Sequence, residues 1–391
     1  MPLKHFSTVD AMIEALQPGY PVYCLRPEEL KRNAKRFLDT FPGRVLYAVK
    51  CNPDLNVLGP LFEAGIRHFD TASLTEIALI RENFPQADCY FMHPVKSPSA
   101  IAAAKDVYSV DHFVIDHHRE LDKIVSAIGG GDGKVCLVRV ITPAANVAYN
   151  LSQKFGITVD EAPALLNRVA AEGFQPGLAF HVGSQCRSPE AFAEAIRIMG
   201  QVMDKSDVDI HYLDVGGGFP VHYVNDKPPP LEDFVTAITD TIKEINLRGD
   251  CVLMCEPGRG LVASGSSLVV QVMLRKEQSL YINDGVYHSL SETLTAGIEL
   301  PMRVIRPGQT VSSETSPFSM FGPTCDSTDC IPGQINLPNC IREGDWIEIG
   351  QAGAYSNSMT SSFNGFIAET FVNIDEPPLY PRIPGDVDMG L

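Results

Sequence analysis

The strongest constraint on the fold is a regular alternation of strand-like and helix-like segments over the first two thirds of the chain. Short runs of β-branched and aromatic residues, typical of buried strands, are followed by longer segments of helical periodicity. The strand candidates are Val45–Val49, His68–Asp70, Cys89–Met92, Phe113–Ile115, Val135–Val140, Leu178–Val182, Tyr212–Val215 and Val252–Cys255. Eight such units predict an α/β protein with a parallel, TIM-like (β/α)8 barrel, and an open doubly wound sheet is the alternative that the same order permits.

The pattern changes after Gly265, where long helices become scarce and Gly- and Pro-rich turns separate short strands. The strand candidates of this part are Val269–Leu274, Ser279–Ile282, Met302–Ile305 and Trp346–Ile349. We expect a mostly antiparallel β domain, to which Val22–Leu25 adds a strand. The predicted division is therefore a barrel over residues 27–265 and a β domain built from residues 1–26 and 266–391.

Charge and composition exclude several classes of function. The 391 residues carry 31 Lys and Arg against 48 Asp and Glu, a formal net charge of −17 that argues against non-specific binding to nucleic acid. No uncharged apolar run reaches the roughly 18 residues of a membrane span, so no membrane association is predicted. Residues 1–20 lack the apolar block of a secretory signal. The ten cysteines form no C-x-x-C pair, so we expect reduced thiols in a cytoplasmic protein.

Polar and glycine residues recur where the predicted strands end. In a parallel barrel the C-terminal ends of all strands meet at one mouth, where the chemistry of such folds takes place. These residues are Lys50, Asp70, Arg139, His181, Gly183-Ser184, Gly216–Gly218 and Glu256-Pro257-Gly258-Arg259. Together they predict a site for an anionic, partly aromatic ligand that reacts with an amine.

Two of these positions suggest a particular chemistry. At the mouth, desolvation and nearby cations would lower the pKa of the Lys50 amine and suit it to a Schiff base with pyridoxal phosphate, although a snorkelling surface lysine is the alternative. A Glu256 carboxylate bonded to a pyridine nitrogen would keep that nitrogen protonated and make the ring an electron sink. Arg259 would then help to hold phosphate, and an ion pair of Glu256 with Arg259 within the turn is the structural alternative.

Other features allow a functional and a structural interpretation side by side. Gly216–Gly218 could close around phosphate oxygens or form only a tight strand-to-helix turn. His181 could stack on a planar cofactor, act as an acid or be a satisfied core histidine. Cys325-Asp326, in a Gly-Pro turn of the β domain, could supply a proton donor and a partner for an ammonium group, or only a turn with an Asp cap. No set of side chains has metal-ligand spacing, so no metal site is predicted.

Taken in order along the chain, these motifs resemble the fold-type III pyridoxal-phosphate decarboxylases, the family of ornithine, lysine, arginine and diaminopimelate decarboxylases. The resemblance spans nearly the whole chain and implies an alanine-racemase-like barrel that binds pyridoxal 5′-phosphate. It is carried by Tyr47-Ala-Val-Lys50-Cys-Asn52, Phe69-Asp70-Thr-Ala-Ser73, His181-Val-Gly-Ser184, Leu213-Asp-Val-Gly-Gly-Gly218, Glu256-Pro-Gly-Arg259, Gly322-Pro-Thr-Cys325-Asp326, Gly353-Ala-Tyr355 and Phe363-Asn-Gly-Phe366.

The resemblance implies a role for each matching residue. Lys50 would carry the cofactor covalently, and Glu256 would pair with its ring nitrogen. The residues lining the ring would be Asp70, Arg139 and His181. The phosphate would be held by Ser184, Gly217, Gly218, Gly258, Arg259 and Tyr355. Cys325 would return a proton to the substrate carbon after carbon dioxide leaves. The substrate-binding residues would be Asp326, Tyr287 and Phe363.

The resemblance also implies a homodimer with shared active sites, in which the Cys325 loop reaches the barrel mouth of the other subunit. Two rival interpretations remain. An amino-acid racemase of the alanine racemase type would carry an arginine, not Glu256, at the pyridine nitrogen. An inactive relative retained for binding would be expected to have lost Lys50 or Cys325.

The predicted substrate is a basic L-amino acid. Asp326 resembles the ornithine-type enzymes, whereas diaminopimelate-type members usually carry glutamate after the cysteine. Thr295 or Ala296 stands where ornithine-type members have another acidic residue, although Glu292 and Glu299 could compensate. L-Ornithine, converted to putrescine in polyamine biosynthesis, is the first choice. L-Lysine, alone or alongside ornithine, is the second, and an unusual diamino acid is the third.

Overall fold

A computed structural model describes residues 3–142 and 154–381 of the protein. The strands, in chain order, are β1 (Lys4–Phe6), β2 (Val22–Leu25), β3 (Arg44–Ala48), β4 (His68–Thr71), β5 (Asp88–Phe91), β6 (His112–Ile115), β7 (Val135–Arg139), β8 (Gln175–Ala179), β9 (Tyr212–Asp214), β10 (Val252–Cys255), β11 (Ser266–Lys276), β12 (Ser279–Ile282), β13 (Met302–Ile305), β14 (Thr315–Phe321), β15 (Cys330–Pro338), β16 (Trp346–Ile349) and β17 (Thr370–Ile374). The helices are α1 (Val9–Leu16), α2 (Pro27–Thr40), α3 (Leu55–Glu63), α4 (Leu74–Asn83), α5 (Pro98–Asp106), α6 (His118–Ile128), α7 (Ala162–Ala171), α8 (Pro189–Asp204), α9 (Leu231–Ile242), α10 (Arg259–Val262) and α11 (Ser291–Thr295).

The eight strands β3 to β10 form a closed parallel barrel. Each pairs with the next along the chain, and β10 pairs with β3, with Cys255 opposite Val45. This last pairing confirms the predicted barrel and excludes the open sheet. All eight predicted strands overlap observed ones, but β8 ends at Ala179 and not at Val182. His181 therefore lies in the loop beyond the strand, and the predicted end of that strand was wrong.

The barrel forms because each strand alternates between two apolar environments. In β3, Val45 and Tyr47 pack outward in the core shared with the helices, whereas Leu46 packs inward with residues such as Tyr90 and Leu137. This period of two is the geometry of a strand buried on both faces. The barrel interior is filled by such side chains, so the chemistry is confined to the mouth.

Local capping fixes how the chain leaves the strands at the mouth. After β4, the Ser73 hydroxyl accepts the amide of Glu76, and the Glu76 carboxylate accepts the amide of Ala72. This reciprocal capping box starts α4 directly behind the strand end. The end of β4 that carries Asp70, its third residue, is therefore held in place by the start of α4.

The second sheet has nine strands within the described residues and combines segments from both ends of the chain. Its long central strand β11 pairs antiparallel with β2, β12 and β16, and β13 and β15 add further antiparallel pairs. Parallel pairs join β17 to β1 and β2, and β12 to β14. The predicted mostly antiparallel sheet is thus confirmed. The division at residues 27 and 265 stays a prediction. No helix in residues 3–142 and 154–381 combines the length and apolarity needed to cross a bilayer.

Candidate active site

Lys50 lies in a short 3-10 turn, Val49–Cys51, immediately after β3. Its Nζ donates to Asp70 Oδ2 at 2.8 Å; Asp70 is 2% exposed, whereas the Lys50 side chain is 44% exposed toward the mouth. Desolvation lowers the pKa of Lys50, but the carboxylates of Asp70 and Glu256 outweigh it, so that the net shift is upward. The predicted lowering was therefore wrong for the cofactor-free chain. Here the amine is an ammonium paired with Asp70.

Two carboxyl groups meet at the neighbouring strand ends. Asp214 ends β9 and Glu256 follows β10, which pairs with β9. Asp214 is fully buried; its Oδ1 accepts the Gly216 amide at 2.8 Å, and the neighbouring Glu256 carboxyl group, when protonated, is the one described donor for its Oδ2. Burial raises the pKa of Asp214 to about 7, and burial with the charges of Asp214 and Asp70 raises the pKa of Glu256 well above its usual range. Without cofactor, the pair therefore retains a proton near neutral pH.

Arg139 and His181 line the same mouth. Arg139 ends β7, with its guanidinium carbon 5.7 Å from the centre of the Phe155 ring. Burial, together with the positive charges of Arg139 and Lys50, lowers the pKa of His181 well below its usual range. The Gly183 amide donates to His181 Nδ1 at 3.0 Å, which places the proton of the neutral ring on Nε2. A neutral, flat imidazole at this position suits contact with an aromatic ligand.

Arg259, at the start of α10, is 4% exposed and makes polar contacts on several sides. Its guanidinium donates to both carboxylate oxygens of Glu292 at 2.7 Å, to the Tyr223 hydroxyl at 2.8 Å and to the Ser184 hydroxyl at 3.4 Å. Its Nε is buried without a partner among the described residues. The alternative of an ion pair with Glu256 is not found, because Glu292 takes that place.

Glycines allow the loops to approach closely around Ser184 and Arg259. Gly218 has a φ of 103°, and a Cβ there would lie 2.3 Å from the Gly183 carbonyl oxygen. A Cβ on Gly217 would lie 3.0 Å from His181 Nε2, inside the mouth. Glycine at both positions thus leaves backbone and open space where a side chain would clash.

The β domain closes one side of this mouth through Tyr355. The Tyr355 amide donates to the Cys51 carbonyl oxygen at 2.9 Å, and its ring centre lies 5.1 Å from the Arg259 guanidinium carbon. Gly258 packs against Cys51 from the other side, with a hypothetical Cβ only 3.0 Å from the Cys51 Cβ. The turn that carries Lys50 is therefore held between the two parts of the molecule.

Cys325 lies in a loop between β14 and β15 and is exposed. Its amide donates to the side-chain oxygen of Asn364 at 3.2 Å. Asp326 accepts from the Tyr287 hydroxyl at 2.8 Å, and hydrogen bonds from Thr328 and Tyr287 lower its pKa.

The Tyr287 ring in turn packs against the Phe363 ring at 5.1 Å. The predicted substrate residues, Asp326, Tyr287 and Phe363, are thus brought together, in a cluster of the β domain.

The residues at the barrel mouth fit a phosphorylated pyridine aldehyde. An amine, Lys50, suits covalent attachment, and Glu256 is an acid for the ring nitrogen. A phosphate group is suited by three features: the Ser184 hydroxyl, the buried Arg259 guanidinium with its unpartnered Nε, and glycine turns that leave room because they have no Cβ atoms. No group of three or more potential metal ligands is found in residues 3–142 and 154–381. Fold and site are those expected of a (β/α)8-barrel enzyme whose cofactor would be anchored on a lysine.

Comparison with known proteins places the chain more closely. Residues 27–263 match the family model described as the pyridoxal-binding domain of pyridoxal-dependent decarboxylases. The chain belongs to this family of pyridoxal-phosphate enzymes. It is 32% identical to the lysine/ornithine decarboxylase of Selenomonas ruminantium over 88% of this chain and 87% of that protein. It is 33% identical to the ornithine decarboxylase of Schizosaccharomyces pombe, over 84% and 77%. The crystal structure of the Paramecium bursaria Chlorella virus arginine decarboxylase superposes with a TM-score of 0.83 at 28% identity, over 94% and 99%.

Two residues of the site were missed by sequence reasoning or were misplaced by it. Asp214 was noticed only as part of the strand before Gly216–Gly218, although an acid at a strand end is itself a signal. Glu292 was considered only as a substitute for a missing substrate carboxylate, and that role stays a prediction. Its pairing with Arg259, in which its side chain is 12% exposed, was not foreseen.

Proposed function

We propose that the protein decarboxylates a basic L-amino acid, with L-ornithine first and L-lysine second. The supporting observation is the Asp326 carboxylate, which Tyr287 and Thr328 hold in place and keep ionised. A fixed carboxylate beside two aromatic rings suits an aliphatic chain that ends in an ammonium group. The named activities of the relatives, on lysine, ornithine and arginine, agree with this class.

The cofactor-binding roles follow the positions at the mouth. Lys50 is proposed to carry the cofactor, with Asp70 holding the amine when it is free. Glu256 would accept the hydrogen bond of the ring nitrogen, and this requires the proton shared with Asp214 to be held away from Glu256. The residues proposed to line the ring are Asp70, Arg139 and His181. The residues proposed to hold the phosphate are Ser184, Gly217, Gly218, Gly258, Arg259 and Tyr355.

When bound, pyridoxal phosphate supplies an electron sink for the pair of electrons left behind by the departing carboxylate. The chain supplies the rest. The negative charge of Glu256 stabilises a protonated ring nitrogen, and neutral His181 excludes water from one face of the mouth. Cys325 delivers a proton to the substrate carbon, and Asp326 sets the position of the distal ammonium.

A screen of L-ornithine, L-lysine, L-arginine and meso-diaminopimelate for carbon dioxide release tests the substrate. We expect ornithine to give the highest kcat/KM. The matched variant Asp326→Asn should lose at least about tenfold in kcat/KM for ornithine, because it removes the charge opposite the ammonium. Release from none of the four, or an unaltered Asp326→Asn variant, contradicts the proposed substrate class. Chiral analysis of the products tests the racemase alternative, which predicts formation of a D-amino acid and no release of carbon dioxide.

We also propose a homodimer in which the Cys325 loop completes the barrel mouth of the partner. Support comes from the exposure of Cys325 and from the contacts of its loop, which run to Asn364 and Tyr287 within its own β domain. In this arrangement each site combines the barrel (residues 27–265) and Tyr355 of one chain with the Cys325 loop from the β domain (residues 1–26 and 266–391) of the partner.

Mixing two inactive variants tests the shared site. Lys50→Ala should abolish turnover and the borohydride-reducible cofactor linkage, and Cys325→Ala should lower turnover strongly. After subunit exchange at equal amounts, about a quarter of the wild-type activity should return, because half of the dimers then contain one intact site. No recovery in a mixture shown to contain heterodimers contradicts the shared site.

We further propose a cytoplasmic location and a place in polyamine biosynthesis, through putrescine. The ten cysteines are all free, as a reducing compartment requires. Fractionation of cells followed by antibody detection of the protein tests the location. Measurement of putrescine after deletion of the gene tests the pathway, and an unaltered putrescine pool contradicts it.

A further inference from the structure

Glu292 occupies the fork of the guanidinium that the proposed function assigns to the cofactor phosphate. Its two carboxylate oxygens lie 2.7 Å from Nη1 and Nη2 of Arg259, a bidentate geometry. The side chains are 3% and 12% exposed, so water screens the pair little. Glu292 lies on the short helix α11, within the β domain, and reaches across to the barrel.

A phosphate that binds the guanidinium fork would use the same two nitrogens. The planar guanidinium fork matches carboxylate and phosphate equally well, and one fork cannot serve both anions in full. Nη1 also donates to Tyr223, and Nη2 also donates to Ser184, so both terminal nitrogens are fully engaged and only Nε is without a partner among the described residues. A phosphate dianion that binds the terminal nitrogens must therefore displace the Glu292 carboxylate, and one that binds through Nε must lie close beside it, where like charges repel.

We propose that Glu292 determines how tightly this enzyme holds its cofactor, by competing with the cofactor phosphate for Arg259. The proposal rests on the proposed function, since that function assigns the phosphate to Arg259. It also gives Glu292 a positioning role: in the cofactor-free chain the carboxylate keeps a buried guanidinium paired, and on binding the phosphate takes over that pairing. The free energy of cofactor binding is then the gain from the contact between the phosphate and Arg259, reduced by the cost of separating Arg259 from Glu292.

The test compares cofactor-free wild type with Glu292→Gln in titrations followed by absorbance. Pyridoxal 5′-phosphate should bind at least about tenfold more tightly to Glu292→Gln, because the competing charge is gone. Pyridoxal, which attaches through Lys50 but lacks the phosphate, should bind both proteins equally. Glu299→Gln is the matched control: it removes one acid from the same segment and should alter neither affinity. Equal or weaker binding of the phosphate form by Glu292→Gln overturns the proposal.

Two further variants protect the test. Glu292→Asp retains the charge on a shorter chain that cannot make both contacts, so it should gain phosphate affinity in the same direction but to a smaller extent; no gain counts against the proposal. Arg259→Met should weaken the phosphate form, and adding Glu292→Gln to it should bring no gain. If Arg259→Met leaves the affinity unchanged, the assignment of Arg259 to the phosphate fails. If it weakens binding while Glu292→Gln brings no tightening, only the competition fails.

Discussion

The barrel mouth and the Cys325 loop differ in how completely the chain builds them. At the mouth, Asp70, Asp214 and Arg259 are each at most 4% exposed and are held by neighbouring strands or bidentate contacts. The thiol of Cys325 is exposed, and its backbone is tied to Asn364 by one hydrogen bond of 3.2 Å. A single chain thus completes the part proposed to bind cofactor, and it presents the proposed proton donor outward. Substitutions in the two regions should therefore affect different measurements.

Among the substitutions that distinguish the barrel mouth from the Cys325 loop, the largest loss of activity is expected at Glu256. Glu256→Gln removes the charge that stabilises a protonated ring nitrogen, so kcat should fall by about 10² to 10³, the usual loss for one preorganised electrostatic contact. The cofactor should still attach to Lys50, with an altered absorbance spectrum. Steady-state kinetics and spectra measure both. Glu232→Gln, which removes an exposed acid paired with Arg36, is the control and should leave both unaltered.

Cys325→Ala tests the other region. Loss of a positioned proton donor should lower kcat by about 10², while the affinity for pyridoxal phosphate stays that of the wild type. Product analysis by mass spectrometry should also show protons returned at the wrong place. Cys340→Ala, a thiol elsewhere in the β domain, is the control. If Cys325→Ala instead lowered cofactor affinity, the Cys325 loop would contribute to cofactor binding as well as to turnover, and the two regions would not act independently.

The carboxyl pair at the mouth predicts how the stability of the cofactor-free protein depends on pH. Burial raises the pKa of Asp214 from 3.8 to about 7; Asp70 acts in the same direction, whereas the hydrogen bonds with Gly216 and Glu256 and the charge of Arg139 oppose it. The folded state binds the proton more tightly than the unfolded state. The contribution of Asp214 to the free energy of unfolding is therefore fully present below about pH 4 and is lost as the pH rises to about 7.

Asp214→Asn removes this titration while it keeps an acceptor for the Gly216 amide. Relative to wild type, the variant should gain stability between pH 4 and 7, by about 3 kcal/mol. Urea unfolding of the cofactor-free proteins at both pH values measures the difference. A constant difference across this range would mean that Asp214 is ionised throughout.

The same contrast explains how much was predictable from sequence. The eight barrel strands have short apolar runs and repeat regularly, so both their existence and the positions of Lys50, Asp70 and Glu256 at the mouth could be predicted. The strand β15 was missed, because its Pro332 and Gly333 are typical of turns.

The helix α2 was missed because charged residues outnumber its buried Leu30, Ala34 and Phe37. The direction of the Lys50 pKa shift was wrong, because the carboxylates that decide it come from β4 and from the loop after β10. The pairing of Glu292 with Arg259 joins two parts of the fold that no local pattern relates.

The smallest effect is expected where the Cys325 loop is tied to its support. Asn364 has a φ of 54°, which asparagine, aspartate and glycine tolerate, and its side-chain oxygen accepts the Cys325 amide. Asn364→Gly keeps that backbone and removes the acceptor, so kcat should fall by about threefold to tenfold as the thiol becomes less well placed, with cofactor affinity unaltered. Asn364→Asp keeps an acceptor oxygen and should stay near wild type. If both variants lost activity equally, the hydrogen bond would not be the cause, and the loop would depend on its other contacts for its position.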